Sequence, residues 1–171
     1  GLNQVLDIAL ELKRRGRDDF QIIFVGEGSE KRSLIARAKK EDLNNCRFLS
    51  AMPKRDLINF YQGCHFGIMC LENVPSFYNG TSPNKFFDYI ASGLPVAANY
   101  PGWVSDLISK HQCGFIANPG EASEFVDNLL LLKNDPNKIT NMSVASLRLS
   151  THFRRDDLAS RFEETLKQVL Q

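Results

Sequence analysis

The sequence predicts an α/β domain with a Rossmann-like, doubly wound parallel sheet and a helical C-terminal tail. Short apolar runs rich in β-branched and aromatic residues alternate with stretches of helical periodicity, and the connections between them are short. Strands that alternate with helices in this way form a parallel sheet through right-handed crossovers. The 171 residues suit a single hydrophobic core, so residues 1–171 are interpreted as one domain.

The first half of the chain opens with an amphipathic helix. Apolar residues recur at helical spacing from Leu2 to Leu12, Gln4 faces away from that stripe, and Gly16 ends the helix. The elements that follow are a strand at 20–25, a helix capped by Ser29 that runs to about Asp42, a strand at 46–49, and a helix that begins after Pro53.

The second half continues the alternation. The run 65–71 has no polar alternation, which predicts a strand covered on both faces. Residues 72–81 are predicted to form an irregular loop, with Ser82 as the N-cap and Pro83 as the first residue of the next helix. The remaining elements are that helix through Ala91, strands at 94–98 and 113–117, helices at 103–110 and 121–133, and a helical tail over 136–171. The apolar residues of the tail, Phe153, Leu158, Phe162 and Leu166, are expected to pack on the core.

The start of the chain differs from that of a complete doubly wound sheet. The first helix begins at residue 2, whereas such a sheet normally begins with a strand that leads into this helix. We therefore expect the first strand to precede residue 1 in a longer protein.

Composition limits the classes of partner. The 21 basic and 20 acidic residues give a formal charge of +1, which does not favour a nucleic-acid or membrane-surface partner. No apolar stretch reaches the ~20 residues of a transmembrane helix. The four cysteines form no CxxC pair and have no histidine at ligand spacing, so they are interpreted as buried residues of a protein in a reducing compartment, and no metal site is predicted.

Two loops at the carboxyl ends of strands are candidates for ligand binding. The first contains Gly26-Glu27-Gly28, but Lys31 stands where a dinucleotide fingerprint needs its third glycine. A structural turn is the simpler interpretation of this loop. An anion site at the start of the following helix is the alternative.

The second loop is Asn79-Gly-Thr-Ser-Pro-Asn-Lys85. Residues 80–82 can present backbone N–H groups and two hydroxyls at the positive end of a helix. A lysine is unfavourable there unless an anion is bound, and Asp88, one turn further along, can accept hydrogen bonds from the two hydroxyls of a ribose. A capped helix with a solvated Lys85–Asp88 pair explains the spacing equally well.

The stretch NGTSPNKFFDYIASGLPVAA resembles the signature of family 4 glycosyltransferases, which have the GT-B fold, and is closest to bacterial members that build surface polysaccharides. The segments VGEG, RFLSAMPKRDL, PGWVSDLI and CGFIANPG resemble other parts of that family in the same order. The similarity spans residues 1 to 135 or so.

The resemblance implies the C-terminal, donor-binding half of a retaining, metal-independent transferase that uses a nucleotide-diphosphate sugar, UDP more commonly than GDP, and no cofactor. The family's second acidic residue matches Asp88, whereas its first would fall on Gly80, so the sugar contact passes to Glu72 or to the backbone of residues 79–81. No catalytic residue is assigned. The implied sites are Gly80, Thr81, Ser82 and Lys85 for the diphosphate, Asp88 for the ribose, and, for the base and the glycine loop beside it, Ala51 and Met52 with Gly26 and Glu27.

The family's acceptor-binding N-terminal domain, and two of its basic donor contacts, would precede this chain. We therefore expect residues 1–171 alone to be inactive, and the longer enzyme to be cytoplasmic, peripheral at the inner membrane face only through the absent part. The family's last helix crosses back to the N-terminal domain, so packing against that domain is the alternative to core packing for the apolar residues of the tail, Phe153, Leu158, Phe162 and Leu166. A noncatalytic α/β binding or regulatory domain and a nucleotide-sugar epimerase on the same scaffold are the alternatives. For Trp103, packing on the donor sugar and packing at the start of a helix both remain open.

Overall fold

A computed structural model describes residues 1–169, apart from the side chain of Asn79, and has the predicted alternation of strands and helices. The strands in this range are β1 (Ile22–Val25), β2 (Cys46–Leu49), β3 (Gly67–Met69), β4 (Val96–Ala98) and β5 (Gly114–Ile116). The α-helices are α1 (Leu2–Arg14), α2 (Lys31–Lys40), α3 (Lys54–Tyr61), α4 (Pro75–Gly80), α5 (Asn84–Ala91), α6 (Trp103–His111), α7 (Ala122–Lys133), α8 (Pro136–Ser150) and α9 (Arg155–Val169).

All of the hydrogen-bonded strand pairs are parallel, as predicted. β1 pairs with β2, and β4 lies between β3 and β5. In the part of the chain that the structure describes, the ladders thus form a pair and a triple rather than one continuous sheet. Sequence periodicity identifies strands but does not show which of them share hydrogen bonds, so this division was not foreseen.

Helices cover both faces of the strand triple. Ala97 of β4 belongs to a buried cluster formed mainly with α1 and α7, whereas its neighbours Val96 and Ala98 belong to a second cluster with α5, α6 and α8. Because successive residues of a strand point to opposite faces, the two clusters lie on opposite sides of β4. The same division at Ile68 and Met69 confirms that β3 is covered on both faces.

Several predicted helix starts are shifted. Residues 75–80 form α4 although we predicted an irregular loop. The N-cap position of α5 is Pro83 rather than Ser82, and that of α2 is Glu30 rather than Ser29, with no side-chain cap at either. Pro83 has an extended backbone, with φ −77° and ψ 117°. The helix therefore begins at Asn84, one residue after the start predicted from the fixed φ of proline.

The C-terminal tail is helical with one interruption. α8 is capped by Asp135, whose carboxylate accepts a hydrogen bond from the Lys138 amide at 3.1 Å. A 3₁₀ turn over Thr151–Phe153 and an extended Arg154 then separate it from α9, and Leu170 and Gln171 lie outside the described residues. Of the tail residues expected to pack on the core, Phe153 does so, with its ring centroid 5.1 Å from that of Phe87. The prediction is wrong for α9, whose Leu158, Phe162 and Leu166 are exposed.

Among the described residues, no helix has both the length and the apolar character that crossing a membrane requires.

Candidate functional site

A partly buried polar network joins the carboxyl ends of β3, β4 and β5. The Gln4 amide donates to the Leu71 carbonyl at 2.8 Å, and its oxygen accepts from the Asn99 side chain and, at 3.2 Å, from the Gly120 amide. Asn99, which is only 3% exposed, also accepts from the Leu71 amide at 3.0 Å. Gln4 therefore faces inward, contrary to prediction. The cavity beside it has a volume of about 10 Å³, which is room for a water but not for a nucleotide.

The predicted diphosphate segment lies between α4 and α5. Gly80 is the last residue of α4, Thr81 is extended, and Ser82 is exposed. The Thr81 hydroxyl donates to the Phe77 carbonyl at 2.9 Å, so its proton is used within the protein. Because Gly80 lies within α4, its amide belongs to that helix, contrary to the prediction for this segment. The backbone amide and hydroxyl of Ser82 are consequently the donors that the segment offers to a ligand.

Trp103 supports this segment from behind. Its indole N–H donates to the Thr81 carbonyl at 2.8 Å, and its ring packs against Phe86 and Phe87 with centroids 6.3 Å away in each case. Gly102, the preceding residue, has φ +120°, a backbone conformation that residues other than glycine rarely adopt. Of the two interpretations of Trp103, the structure supports packing at the start of a helix.

We expect Trp103→Phe to keep most of the ring packing and to lose the hydrogen bond to Thr81. The free energy of unfolding should fall by about 0.5–1.5 kcal/mol, the usual net value of one hydrogen bond. Urea denaturation would measure it, with Trp103→Leu as the variant that loses both contacts. Equal stabilities of the Phe and Leu variants would show that the ring contributes nothing.

Asp88 and Lys85 do not pair with each other. The carboxylate of Asp88 pairs instead with the Lys54 ammonium at 2.8 Å, and the two side chains are 26% and 65% exposed. Within the described residues Lys85 has no ion pair. The residue is exposed to solvent, although the protein around it lowers its pKa through desolvation. The solvated Lys85–Asp88 pair, one of the two explanations of their spacing, is therefore not formed.

The N-terminus of α5 is open. No side chain caps the helix. In its first turn the Phe86 amide donates to the Pro83 carbonyl at 3.0 Å, which leaves the amides of Asn84 and Lys85 without a helical acceptor. Lys85 adds a positive charge where the helix dipole is already positive. A bound anion would relieve this accumulation of positive charge.

The residues predicted to contact the base lie at the ends of β1 and β2. Gly26 has φ +138° and donates its amide to the Leu49 carbonyl at 3.3 Å. The carboxylate of Glu27 pairs with Lys31 at 2.8 Å, and that hydrogen bond lowers the pKa of Glu27. The Ala51 amide and the Ser50 hydroxyl approach the same carboxylate and lower its pKa further. Gly26, Glu27 and Ala51 are thus brought together, with the half-buried Met52 next to them.

Two helices connect this group with the diphosphate segment. α3 begins directly after Met52-Pro53 and contacts α5 through the Lys54–Asp88 pair and through the rings of Tyr61 and Tyr89, whose centroids are 5.2 Å apart. No residue of α3 is buried, so these two contacts are its link to α5. Sequence reasoning missed Lys54, although its position two residues after Met52 of the predicted base turn was a signal.

The cysteines lack the environment of reactive thiols. All four are free, and burial raises the pKa of Cys70 to about 12 and that of Cys113 to about 11. Within the described part of the chain, no three histidine, cysteine or acidic residues are grouped so that they could hold a metal ion.

The family model described as glycosyl transferases group 1 matches residues 1–146. The chain belongs to this family. An uncharacterized glycosyltransferase from Haemophilus influenzae is 29% identical to this chain over 136 residues, which are 79% of the chain and 36% of the relative.

Solved structures of glycosyltransferases have the same fold. HepE from Anabaena, in complex with UDP and glucose, superposes on 98% of this chain with a TM-score of 0.77 and 18% identity. WaaG, a glycosyltransferase involved in lipopolysaccharide biosynthesis, superposes on 88% with a TM-score of 0.69 and 16% identity. The matches cover 44% and 39% of those chains. These findings confirm the predicted C-terminal GT-B domain.

Proposed function

We propose that the chain binds the nucleotide-diphosphate sugar donor of a glycosyltransferase, a UDP-sugar in preference to a GDP-sugar. The observation that carries this proposal is the open N-terminus of α5, where Lys85 has no ion pair among the described residues and Asp88 follows one turn later. The complex of HepE with UDP and glucose supports the choice of nucleotide.

The donor's diphosphate lies against the N-terminus of α5 in this proposal. The backbone amide and hydroxyl of Ser82, the amides of Asn84 and Lys85 at the start of α5, and the Lys85 ammonium donate hydrogen bonds to its oxygens. Charge-assisted hydrogen bonds from cations and helix amides are the strong class of such contacts. The bound diphosphate then supplies the negative charge that Lys85 lacks in the unbound protein.

The ribose lies over Asp88, and the base lies near Ala51 and Met52. One carboxylate oxygen of Asp88 pairs with Lys54 in the unbound protein. Because that pair is exposed on the lysine side, it contributes little to stability and yields at low cost to the ribose hydroxyls. Lys54 then remains beside the donor as a further cation.

The sugar contact lacks the acidic residue that the family carries at the position of Gly80. Glu72, which is 60% exposed, and the backbone of residues 79–81 are the groups that we propose for it. Glu72 and residues 79–81 belong to the connection that leads from the carboxyl end of β3 to α5, which also contains the diphosphate segment.

The proposed reaction is sugar transfer with retention of anomeric configuration and without a metal. Its main electrostatic demand is the charge that develops on the departing diphosphate. Preorganised amides and cations stabilise such charge without a metal ion, and α5 with Lys85 supplies both. Surface-polysaccharide synthesis is the role that we propose, and the part of WaaG in lipopolysaccharide biosynthesis supports it.

We propose that the acceptor binds to a part of the protein outside this chain, and that residues 1–171 alone do not transfer sugar. The chain spans 36% of the Haemophilus relative and 44% of HepE. The split between the β1–β2 pair and the β3–β5 triple suits one further parallel strand between β1 and β3. The free cysteines favour a cytoplasmic location.

Calorimetric titration of the chain with UDP, GDP and inorganic diphosphate tests the proposal. We expect saturable 1:1 binding of UDP, weaker binding of GDP, and diphosphate binding that Lys85→Met abolishes. Lys110→Met, which changes an exposed lysine at the other end of a helix, is the matched control. Absence of nucleotide binding at millimolar concentrations would contradict the proposal.

A further inference from the structure

Lys31 makes three hydrogen bonds at the ends of two strands. Its ammonium donates to the Gly26 carbonyl at 2.9 Å, to the Leu49 carbonyl at 3.0 Å and to the Glu27 carboxylate at 2.8 Å. An ammonium has three protons, so its donors are fully used. The side chain is only 21% exposed.

These contacts differ from those of an ordinary pair on a helix surface. Lys31 and Glu27 are four residues apart, but an exposed pair at this spacing joins two side chains and leaves the strands untouched. Here the lysine also bonds main-chain carbonyls at the ends of β1 and β2, which are adjacent parallel strands. Lys31 thus fastens the loop that leaves β1 to the turn that leaves β2.

Glu27 extends the connection. Its carboxylate is held by Lys31, and the Ala51 amide and Ser50 hydroxyl approach it from the second turn. The Leu49 carbonyl, directly before that turn, accepts from Lys31 and also from the Gly26 amide at 3.3 Å. The position of residues 50–52 relative to residues 26–27 therefore depends on the Lys31 ammonium together with the Gly26–Leu49 backbone bond and the pairing of β1 with β2.

The same group also affects which anion this loop can hold. The ammonium of Lys31 is already neutralised by Glu27, whose carboxylate would repel a phosphate. Lys85, by contrast, has no such partner among the described residues. The two candidate loops are consequently different: the loop after β1 is internally satisfied, and the start of α5 is not.

We propose that Lys31 is a positioning residue for nucleobase recognition. This inference rests on the proposed function. Lys31 fixes the spacing between Gly26-Glu27 and Ala51-Met52, so that both backbone segments meet the edge of one base. It acts through these segments and does not itself contact the donor.

The test compares Lys31→Met, Lys31→Arg and wild type by titration with UDP, GDP and UMP. We expect Lys31→Met to bind UDP about tenfold more weakly, one unit of log K being about 1.4 kcal/mol, and to lose most of the preference for UDP over GDP. The ratio of UDP to UMP affinity should stay within about twofold, because the diphosphate contacts of Lys85 are intact. Lys31→Arg should recover part of the base preference.

Lys40→Met is the control, since Lys40 is an exposed lysine near the other end of α2. It should leave both ratios unchanged. Melting temperatures of all variants separate folding from recognition, because a purely structural role would lower stability without altering the UDP-to-GDP ratio of the folded protein.

The outcomes distinguish the two proposals. Wild-type binding of UDP with an unchanged base preference in Lys31→Met would overturn the role of Lys31 and leave the proposed function standing. Wild-type protein that binds neither nucleotide would overturn both. Equal loss of UDP binding in Lys31→Met and Lys31→Arg, with the preference kept, would also reject the positioning role.

Discussion

Replacing Asp88 by asparagine is expected to weaken UDP binding by about 1.5–3 kcal/mol, or roughly 10- to 150-fold, the usual contribution of hydrogen bonds to a charged group. The variant keeps the shape of the side chain, which is 26% exposed and pairs with Lys54 in the unbound protein. Calorimetric titration measures the change. Asp106→Asn, in the first turn of α6 and exposed, is the matched control and should bind UDP as wild type does.

Lys54→Met separates the carboxylate from its ion pair. Because Lys54 is 65% exposed, loss of the pair should change protein stability by less than about 1 kcal/mol. If UDP affinity falls in Asp88→Asn but changes only a few-fold in Lys54→Met, the carboxylate itself binds the ribose. Equal affinity of wild type and Asp88→Asn would remove Asp88 from the site.

Phe86→Ala is expected to lower the free energy of unfolding by about 3–5 kcal/mol, the range for truncation of a buried aromatic side chain. Phe86 is 0% exposed and packs edge-on against Phe87 and Trp103 in the cluster that joins α5 to the sheet. Urea denaturation gives the value. Most of the loss comes from the cavity that the ring leaves, because its neighbours belong to different helices and relax only in part.

Phe162→Ala is the control for this prediction. The ring of Phe162 is 66% exposed on α9, so the same truncation there should change stability by no more than about 0.5 kcal/mol. Similar losses for the two variants would contradict the burial pattern described above. Phe86→Leu, which fills part of the space, should lie between wild type and Phe86→Ala.

Much of the fold could be predicted because apolar periodicity and glycine or proline punctuation agree along most of the chain. The strand at Cys46–Leu49 was predicted with its observed bounds, and the start of α3 after Pro53 is confirmed. α4 was missed because Pro75 and Gly80 are typical of loops, yet here they mark the first and last residues of one short helix. The helix also buries the Tyr78 side chain, which no local signal in the sequence indicates.

The site was predicted less completely for a related reason. Motif spacing identified Lys85 and Asp88, and the structure places them one turn apart at the start of α5. The partner of Asp88 comes from a distant part of the chain, since Lys54 pairs with it. Elsewhere at this edge of the sheet, the side chain of Asn99 likewise bonds the distant Gln4. Such pairings are fixed by tertiary packing, so a single sequence shows the polar residues but not their ion-pair and hydrogen-bond partners.

The most direct test of donor binding at this edge of the sheet is an NMR titration of the isotopically labelled chain with UDP. We predict that the largest amide shift changes fall on residues 80–88 and 50–54, with α9 unaffected. Changes confined to other surfaces, or no saturable change at all, would contradict the assignment of this site.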